Sequence, residues 1–247
     1  MKKLLLVISF LALASCDGSI ASAVSNAGKS SFSDGTEIGS AETSLEEFDG
    51  LTLAGPDNII FTTGPEFSIR AEGNADTLEQ LRYKITDGQL KIGRENSGGI
   101  WSSNSDSAII YVSAPSLKKA QLAGSGDLQV DKMDRESTSV SVAGSGNINI
   151  AKIETASLST KIAGSGDVAV AGTADSVKIS IAGSGDISGK ALKAESATIK
   201  IAGSGNVALS SDGTVDANIV GSGDIHIHGK ATCKTKSVGS GDVTCGQ

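Results

Sequence analysis

Apolar residues in the second half of the chain recur at a fixed spacing around glycine turns. A turn of sequence Gly-Ser-Gly-Asp or Gly-Ser-Gly-Asn begins at each of seven glycines, which are Gly124, Gly144, Gly164, Gly183, Gly203, Gly221 and Gly239. The steps between these glycines are 20, 20, 19, 20, 18 and 18 residues. A constant period near 20 is typical of a solenoid, in which each repeat buries its apolar face by stacking on the next repeat.

Apolar and polar positions alternate on both sides of each turn. Leu, Val or Ile stands four residues after the first glycine of every turn and two residues before it in the first six turns, as Val168 and Ile162 do around Gly164, while polar residues such as Lys161 stand between. This period of two predicts a strand of about five residues on each side of the turn. Gly, Ser, Thr and Val interrupt the repeats too often for a helix.

The fold class that follows is all-β, a right-handed parallel β-helix with coils of about 20 residues that stack about 4.8 Å apart. The left-handed form is disfavoured because its hexapeptide period is not visible. Upstream, from Phe48 to Tyr111, the alternation is less regular and predicts wider coils of the same body, with a short helical turn at residues 78–81.

The first residues have the pattern of a bacterial export signal. Lys2 and Lys3 precede an apolar run from Leu4 to Ala14, which is too short to cross a membrane and favours a signal peptide over residues 1–15. Residues 13–16, Leu-Ala-Ser-Cys, resemble the lipobox of bacterial lipoproteins. The resemblance implies that Cys16 is lipidated, so that the membrane is a partner through the lipid anchor.

Three segments are therefore expected. After the signal peptide, residues 16–44 comprise the lipidated cysteine and a flexible tether rich in Ser, Ala and Gly, and residues 45–247 form the solenoid. The protein is expected to be exported to the cell envelope, facing the periplasm or the surface, on the inner or the outer membrane.

The two remaining cysteines, Cys233 and Cys245, stand near the end of the chain. Because thiols oxidise outside the cytoplasm, we expect a disulfide that holds the last coil, worth roughly 3 kcal/mol in the chain-entropy model. Two free thiols buried at the end of the chain are the alternative.

Charge restricts the partners. The signal peptide contains 2 of the 21 basic residues and none of the 28 acidic ones, so the rest of the chain has a net charge of −9. Such a chain does not bind nucleic acid non-specifically, and its overall charge does not attract it to anionic lipid. Aromatic residues make up only 3% of the chain, which is low for a sugar-binding cleft built from stacking platforms.

Several segments are similar to the head GIN domain of putative auto-transporter adhesins. The similarity lies in residues 48–61, 70–74 and 87–92 and in the Gly-Ser-Gly-Asp turns, and it covers residues 45–246. It implies a pectin-lyase-like β-helix in the bacterial envelope, for which adhesion is proposed and no enzymatic activity is established.

The fourth residue of each turn would form a row along one edge of the solenoid. The row consists of Asp127, Asn147, Asp167, Asp186, Asn206, Asp224 and Asp242. Because Asx residues cap turns well, the structural interpretation is that each side chain binds the backbone N–H groups of its own turn. The functional alternative is a hard cation between the uninterrupted pairs Asp167 and Asp186, or Asp224 and Asp242.

Two weaker sites remain open. His226 and His228 are expected to face outward beside Asp224 and could hold zinc, although a firm site needs three or four ligands. Trp101, in a polar loop, could contact a glycan or a partner protein, or could pack against the solenoid. No catalytic residue, cofactor or firm metal site is predicted.

The function that the sequence favours is a non-catalytic envelope lipoprotein, which acts as a structural, adhesive or ligand-binding module toward an envelope glycan or protein. The alternative is a polysaccharide-processing enzyme of the pectin-lyase type, because such enzymes use acidic and basic residues on neighbouring coils. Evenly repeated carboxylates argue against a single asymmetric catalytic cluster.

Overall fold

The computed structural model describes residues 32–95 and 106–246. The expected signal peptide, Cys16 and Trp101 lie outside these residues. No helix of the described ranges is long and apolar enough to span a membrane. The folded body begins before residue 45, because Phe32 and Ile38 are buried and two short strands precede that residue.

The described strands join into one sheet of 18 strands. The N-terminal region, residues 32–118, contains β1 Thr36–Glu37, β2 Thr43–Ser44, β3 Gly50–Gly55, β4 Asn58–Thr63, β5 Ser68–Glu72, the helix α1 Ala75–Leu78, β6 Leu81–Thr86, β7 Gln89–Arg94 and β8 Ile109–Ala114. The repeat region, residues 119–246, contains β9 Lys119–Gly124, β10 Leu128–Met133, β11 Ser137–Gly144, β12 Ile148–Gly164, β13 Val168–Gly183, β14 Ile187–Gly203, β15 Val207–Gly221, β16 Ile225–His228, β17 Thr232–Gly239 and β18 Val243–Cys245.

Every strand pair of the repeat region is parallel. Equivalent turn residues of successive coils are paired, for example Gly144 with Gly164 and Gly164 with Gly183. The parallel β-solenoid that the sequence predicts is therefore confirmed, with about six turns. Its handedness stays a prediction.

The strands of the repeat region are longer than predicted. β12 and β14 each span 17 residues from one glycine turn to the next, where the alternation indicates two strands of about five. The extended backbone continues around the bends of each coil because neighbouring coils pair along most of its length, with only local register shifts such as that between Ile150 and Ile153.

The close approach of neighbouring coils explains why the turns contain glycine. Gly164 has φ +129°, which is a conformation that L side chains rarely adopt, and a Cβ there would overlap the carbonyl oxygen of Gly144. The third turn residue is restricted in the same way, since a Cβ on Gly166 would overlap the carbonyl oxygen of Gly146. Both glycines are therefore required for coils to stack one residue above another.

The core fills the interior of every coil. Ile162, Val168 and Ile181 are 3% exposed or less, as are most of their equivalents along the solenoid. Each such side chain contributes about 1.5–3 kcal/mol when it is buried. Stability is consequently distributed over contacts between successive coils.

The N-terminal region begins the solenoid differently. β3 and β4 form the first corner and pair in parallel with β9 and β10. In contrast to the wider coils expected from the sequence, β6 is antiparallel to β7, and β5 is antiparallel to β8. The helical turn α1 begins three residues earlier than predicted, because Asn74 caps it by accepting the Thr77 N–H at 2.8 Å.

Candidate functional site

The row of Asp and Asn residues at the corner links successive coils. In each case a side-chain Oδ1 accepts the backbone N–H of the equivalent residue one coil further along. The donor–acceptor distances are 3.1 Å for Asn147 to Asp127, 3.1 Å for Asp167 to Asn147, 2.8 Å for Asp186 to Asp167, 2.6 Å for Asn206 to Asp186, 3.0 Å for Asp224 to Asn206 and 2.9 Å for Asp242 to Asp224.

The expectation that each side chain caps its own turn is therefore wrong. The carbonyl oxygen of Asp167 accepts the N–H of Ile148 in the preceding coil, but the Asp167 N–H receives no backbone acceptor and instead uses the Asn147 side chain. An Asx side chain supplies the acceptor that the backbone lacks at this position. We call this row, together with its first member Asn58, the Asx ladder.

The Gly-Ser-Gly pattern of the later turns does not identify Asn58 as a member of the ladder. Its Oδ1 accepts the N–H of Asp127 at 2.9 Å, so the ladder begins in β4. The turn Gly55-Pro56-Asp57-Asn58 has the same length as the later turns, and Gly55 has φ +140°. Aligning residues 55–58 with residues 124–127 would have found it.

Amide groups separate several of the carboxylates. The Nδ2 groups of Asn147 and Asn206 donate to the Oδ1 atoms of Asp127 and Asp186 at 2.9 Å and 3.0 Å. Each Asn also puts the carboxylates on either side of it two coils apart, about 9.6 Å instead of about 4.8 Å, which weakens their repulsion. The ladder is thus a structural element in which the Oδ1 atom of every member before Asp242 accepts a hydrogen bond from the next coil.

Metal binding at the ladder receives no support from geometry. Asp167 and Asp186 stand on adjacent coils, as do Asp224 and Asp242, but no third ligand joins either pair within residues 32–95 and 106–246. His226 is exposed and His228 half-buried, and no described group of three His, Cys, Asp or Glu residues includes them.

A buried ion pair lies under the first corner. Asp57 is fully buried, and its two carboxylate oxygens accept from Arg94 Nη2 at 2.7 Å and Nε at 2.9 Å. Asp57 Oδ1 also accepts the Ala108 N–H, and Arg94 Nη2 donates to the Asp106 carbonyl. The hydrogen bond to Asp57 raises the pKa of the Arg94 guanidinium, which stays charged.

This ion pair occupies the place that glycine holds in later turns. Asp57 aligns with Gly126, whose Cβ would overlap the Asp57 carbonyl oxygen. A side chain fits at this position only in the first turn. In the later turns it would meet the backbone of the preceding identical coil, whereas the first turn has no such coil before it. The signal in the sequence is an acid, Asp57, at the turn position where the later turns have glycine.

The last coil covers the C-terminal end of the hydrophobic core. Cys233 lies over Val215 and Cys245 over Ile227, and the two cysteines are bonded, with Cα atoms 6.4 Å apart. The inward positions that hold Ala217 and Ile219 in the preceding coil are Thr235 and Ser237 in the last one, and both are exposed. Polar residues and a cysteine pair thus cover the last apolar coil.

The described residues contain no arrangement typical of nucleophilic or acid–base catalysis. The two histidines lie on the outer surface beside the ladder, and no buried carboxylate of residues 32–95 and 106–246 orients them. Asp57, the one fully buried carboxylate among the described residues, is held by Arg94 and a backbone N–H.

Comparison with known proteins supports an envelope role and gives no catalytic one. The family described as "Putative auto-transporter adhesin, head GIN domain" matches residues 47–231. A search of curated proteins found no match.

Three solved structures share the fold. A putative adhesin from Bacteroides fragilis has a TM-score of 0.74 at 19% identity, over 83% of this chain and 95% of its own. A putative lipid binding protein from Parabacteroides distasonis has a TM-score of 0.64 at 25% identity, over 83% and 95%. A putative adhesin from Parabacteroides merdae has a TM-score of 0.65 at 18% identity, over 85% and 96%.

Proposed function

The chain belongs to the head GIN domain family of putative auto-transporter adhesins, and from this premise we propose that it is a non-catalytic module of the bacterial envelope. Lipid attached to Cys16 would hold it at the membrane, and the solenoid would bind an envelope glycan or protein through its outer surface. The observation that carries the proposal is the Asx ladder, in which the repeated acids are used to join coils.

The aspartates that a polysaccharide-processing enzyme would use for catalysis are hydrogen-bonded between coils. Asp167 accepts the Asp186 N–H, and Asp186 accepts both the N–H and the side-chain amide of Asn206. A catalytic acid needs a pKa set by an asymmetric site, whereas these carboxylates repeat evenly along an exposed edge. The geometry therefore favours binding over cleavage.

A glycan array run in parallel with a depolymerisation assay tests the proposal. We expect one or more envelope polysaccharides to bind without being cleaved. Cleavage that is lost in Asp167→Asn or Asp186→Asn, and retained in the neighbouring turn variant Ser165→Ala, would establish an enzyme and overturn the proposal.

Anchoring is tested separately. Metabolic labelling with a fatty acid should label the wild-type protein and not Cys16→Ser, and the variant should leave the membrane fraction. A labelled Cys16→Ser protein, or an unlabelled wild-type protein, would contradict the lipid anchor and would leave the binding assay interpretable.

A further inference from the structure

Lysines collect on one side of the solenoid. Two outward rows run along its axis on the half of each coil that precedes the glycine turn. The first row, in axial order, is Lys91, Thr52, Gln121, Ser141, Lys161, Ser180, Lys200, Asn218 and Lys236. The second is Gln89, Gly50, Lys119, Ser139, Ser159, Lys178, Thr198, Asp216 and Lys234. We call these two rows the lysine face.

The seven lysines of this face are not neutralised by protein carboxylates. Within the described ranges none of them forms an ion pair, whereas Lys132 and Lys152, on another side of the coils, pair with Asp134 and Glu154 at 2.8 Å. Asp216 is the single acid in the two rows. The lysine face therefore has a strong positive charge on a chain that is acidic overall.

Because acidic and basic side chains lie on different parts of the surface, the net charge of the chain does not describe the surface that a ligand meets. The acids of the Asx ladder lie at the corner, and the lysines lie on the sheet before it, so the two sets are displayed on different parts of the surface. Because interactions between exposed charges fade beyond about 8–10 Å at physiological salt, the local charge of the sheet matters more to a polyanion lying on it than the net charge of the chain. The total charge of the protein does not exclude an acidic partner.

Three of the four lysines of the first row follow a regular interval. Lys161, Lys200 and Lys236 occur on every second coil, with Ser180 and Asn218 between them. A spacing of about 4.8 Å per coil puts successive lysines about 10 Å apart, with a hydroxyl or amide group midway. Cations that alternate with neutral hydrogen-bonding groups match a linear polymer whose charges also alternate with hydroxyl groups.

An open depression of about 260 Å³ lies at the N-terminal end of the face. Lys118 and Lys119 line it together with Asp49, Asp87 and residues 137–139. Burial and the nearby Lys91 lower the pKa of Lys119, so an anion placed here would relieve the repulsion between the two lysines. Because Asp49 and Asp87 also line the depression, it presents charges of both signs.

We propose that the lysine face binds a linear acidic polysaccharide that lies along the solenoid axis, with its carboxylates on the lysines and its hydroxyl groups on the intervening Ser, Thr and Asn side chains. This inference rests on the proposed binding function and specifies its ligand class. Recognition depends on charge and hydrogen bonds, since the two rows contain no aromatic platform. An anionic membrane is the less favoured partner, because its mobile headgroups give no reason for a two-coil interval.

The test uses the full lipidated chain in neutral detergent and hyaluronate, which carries one carboxylate per disaccharide, as the probe. Binding of labelled hyaluronate should weaken about tenfold in the triple variant Lys161→Gln, Lys200→Gln, Lys236→Gln, as expected for three exposed ionic contacts. The matched control is Lys190→Gln, Lys193→Gln, Lys230→Gln, which removes the same charge from exposed lysines outside the face and should change affinity less than about twofold. Thermal melting of both triple variants shows whether they are folded.

Three outcomes would overturn the inference. One is equal weakening by both triple variants, and another is equal binding of neutral dextran. The third is capture of phosphatidylglycerol vesicles by the lysine face while neither hyaluronate nor polygalacturonate binds, which would assign the face to a membrane. If the glycan array still shows binding that the face variant does not affect, this inference fails and the proposed function stands.

Discussion

The repeat region and the N-terminal region solve the same stacking problem in different ways. In the repeat region every corner is the same glycine turn and every neighbouring strand is parallel. The N–H of the fourth residue of each turn is accepted by an Asx side chain of the coil before it. In the N-terminal region antiparallel strands cover the first coil, and a buried ion pair replaces the inward glycine. The repeated turn is possible only where a coil stacks on another coil of the same shape. On one side the first coil stacks instead on β7 and β8, each of which is paired with an antiparallel strand.

The largest effect is expected from breaking the ion pair that distinguishes the N-terminal region. Arg94→Met leaves the Asp57 carboxylate buried without its cation and should lower the free energy of unfolding by about 3–5 kcal/mol in urea denaturation. Lys132→Met, which breaks the surface pair with Asp134, should cost less than about 1 kcal/mol. Equal losses for the two variants would show that burial does not distinguish them.

The same site can be made to resemble a repeat. Adding Asp57→Gly to Arg94→Met removes both charges and introduces the glycine of the later turns, and we expect it to recover part of the loss of the single variant, because a buried pair is costly mainly when one partner is missing. A double variant less stable than Arg94→Met would mean that the first corner needs the pair for its shape.

A side chain at a repeated corner should have the next largest effect. Gly164→Ala places a Cβ against the Gly144 carbonyl at positive φ and should lower the free energy of unfolding by about 3 kcal/mol, from backbone strain and overlap together. Gly39→Ala, in the N-terminal region, meets nothing nearer than 3.9 Å and should change stability by less than about 0.5 kcal/mol. If Gly164→Ala melts like the wild type, the coils are not held as closely as the structure shows.

The end of the repeat region should depend on its cysteines. Cys245→Ser opens a loop with a sequence separation of 12 residues and should cost about 2–3 kcal/mol. Hydrogen exchange should localise the loss to the last coil, with the Gly144–Gly164 coil still protected. Wild-type protein whose Cys233 thiol reacts with a thiol reagent without reductant would contradict the disulfide.

The smallest effect is expected at a single step of the Asx ladder. Asp167→Ala removes the acceptor of the Asp186 N–H and should cost about 1 kcal/mol, whereas Asp167→Asn keeps the acceptor and should be nearly neutral. Asp175→Ala, an exposed acid outside the ladder, is the matched control and should have no measurable effect. A loss in Asp167→Asn as large as in Asp167→Ala would show that charge, and not the acceptor, is what matters.

The sequence predicts how the strands stack where the structure repeats, but not how they pair where it does not. The period of the glycine turns predicts the parallel coils and the inward columns because one local rule applies to each coil in turn. It cannot predict that residues 81–94 form an antiparallel hairpin, since that choice depends on which surface of the first coil remains to be covered.

The candidate site shows the same division. Spacing predicts the seven repeated members of the Asx ladder but not their partners, because a side chain can reach its own turn or the next coil and only the register decides. The lysine face is not visible in the sequence, because Lys161, Lys200 and Lys236 are 36–39 residues apart in the chain and become neighbours only after the coils are stacked.

The central claim, that each glycine turn adds one coil in parallel register, can be measured directly with pairs of spin labels on the exposed turn serines. Labels at Ser125→Cys and Ser222→Cys are five coils apart and should give a narrow distance distribution centred at about 24 Å. Labels at Ser125→Cys and Ser240→Cys, six coils apart, should give about 29 Å. An increment near 4.8 Å for that additional coil is the predicted result. A broad distribution, or a distance that does not increase from Ser222 to Ser240, would contradict the stacked solenoid.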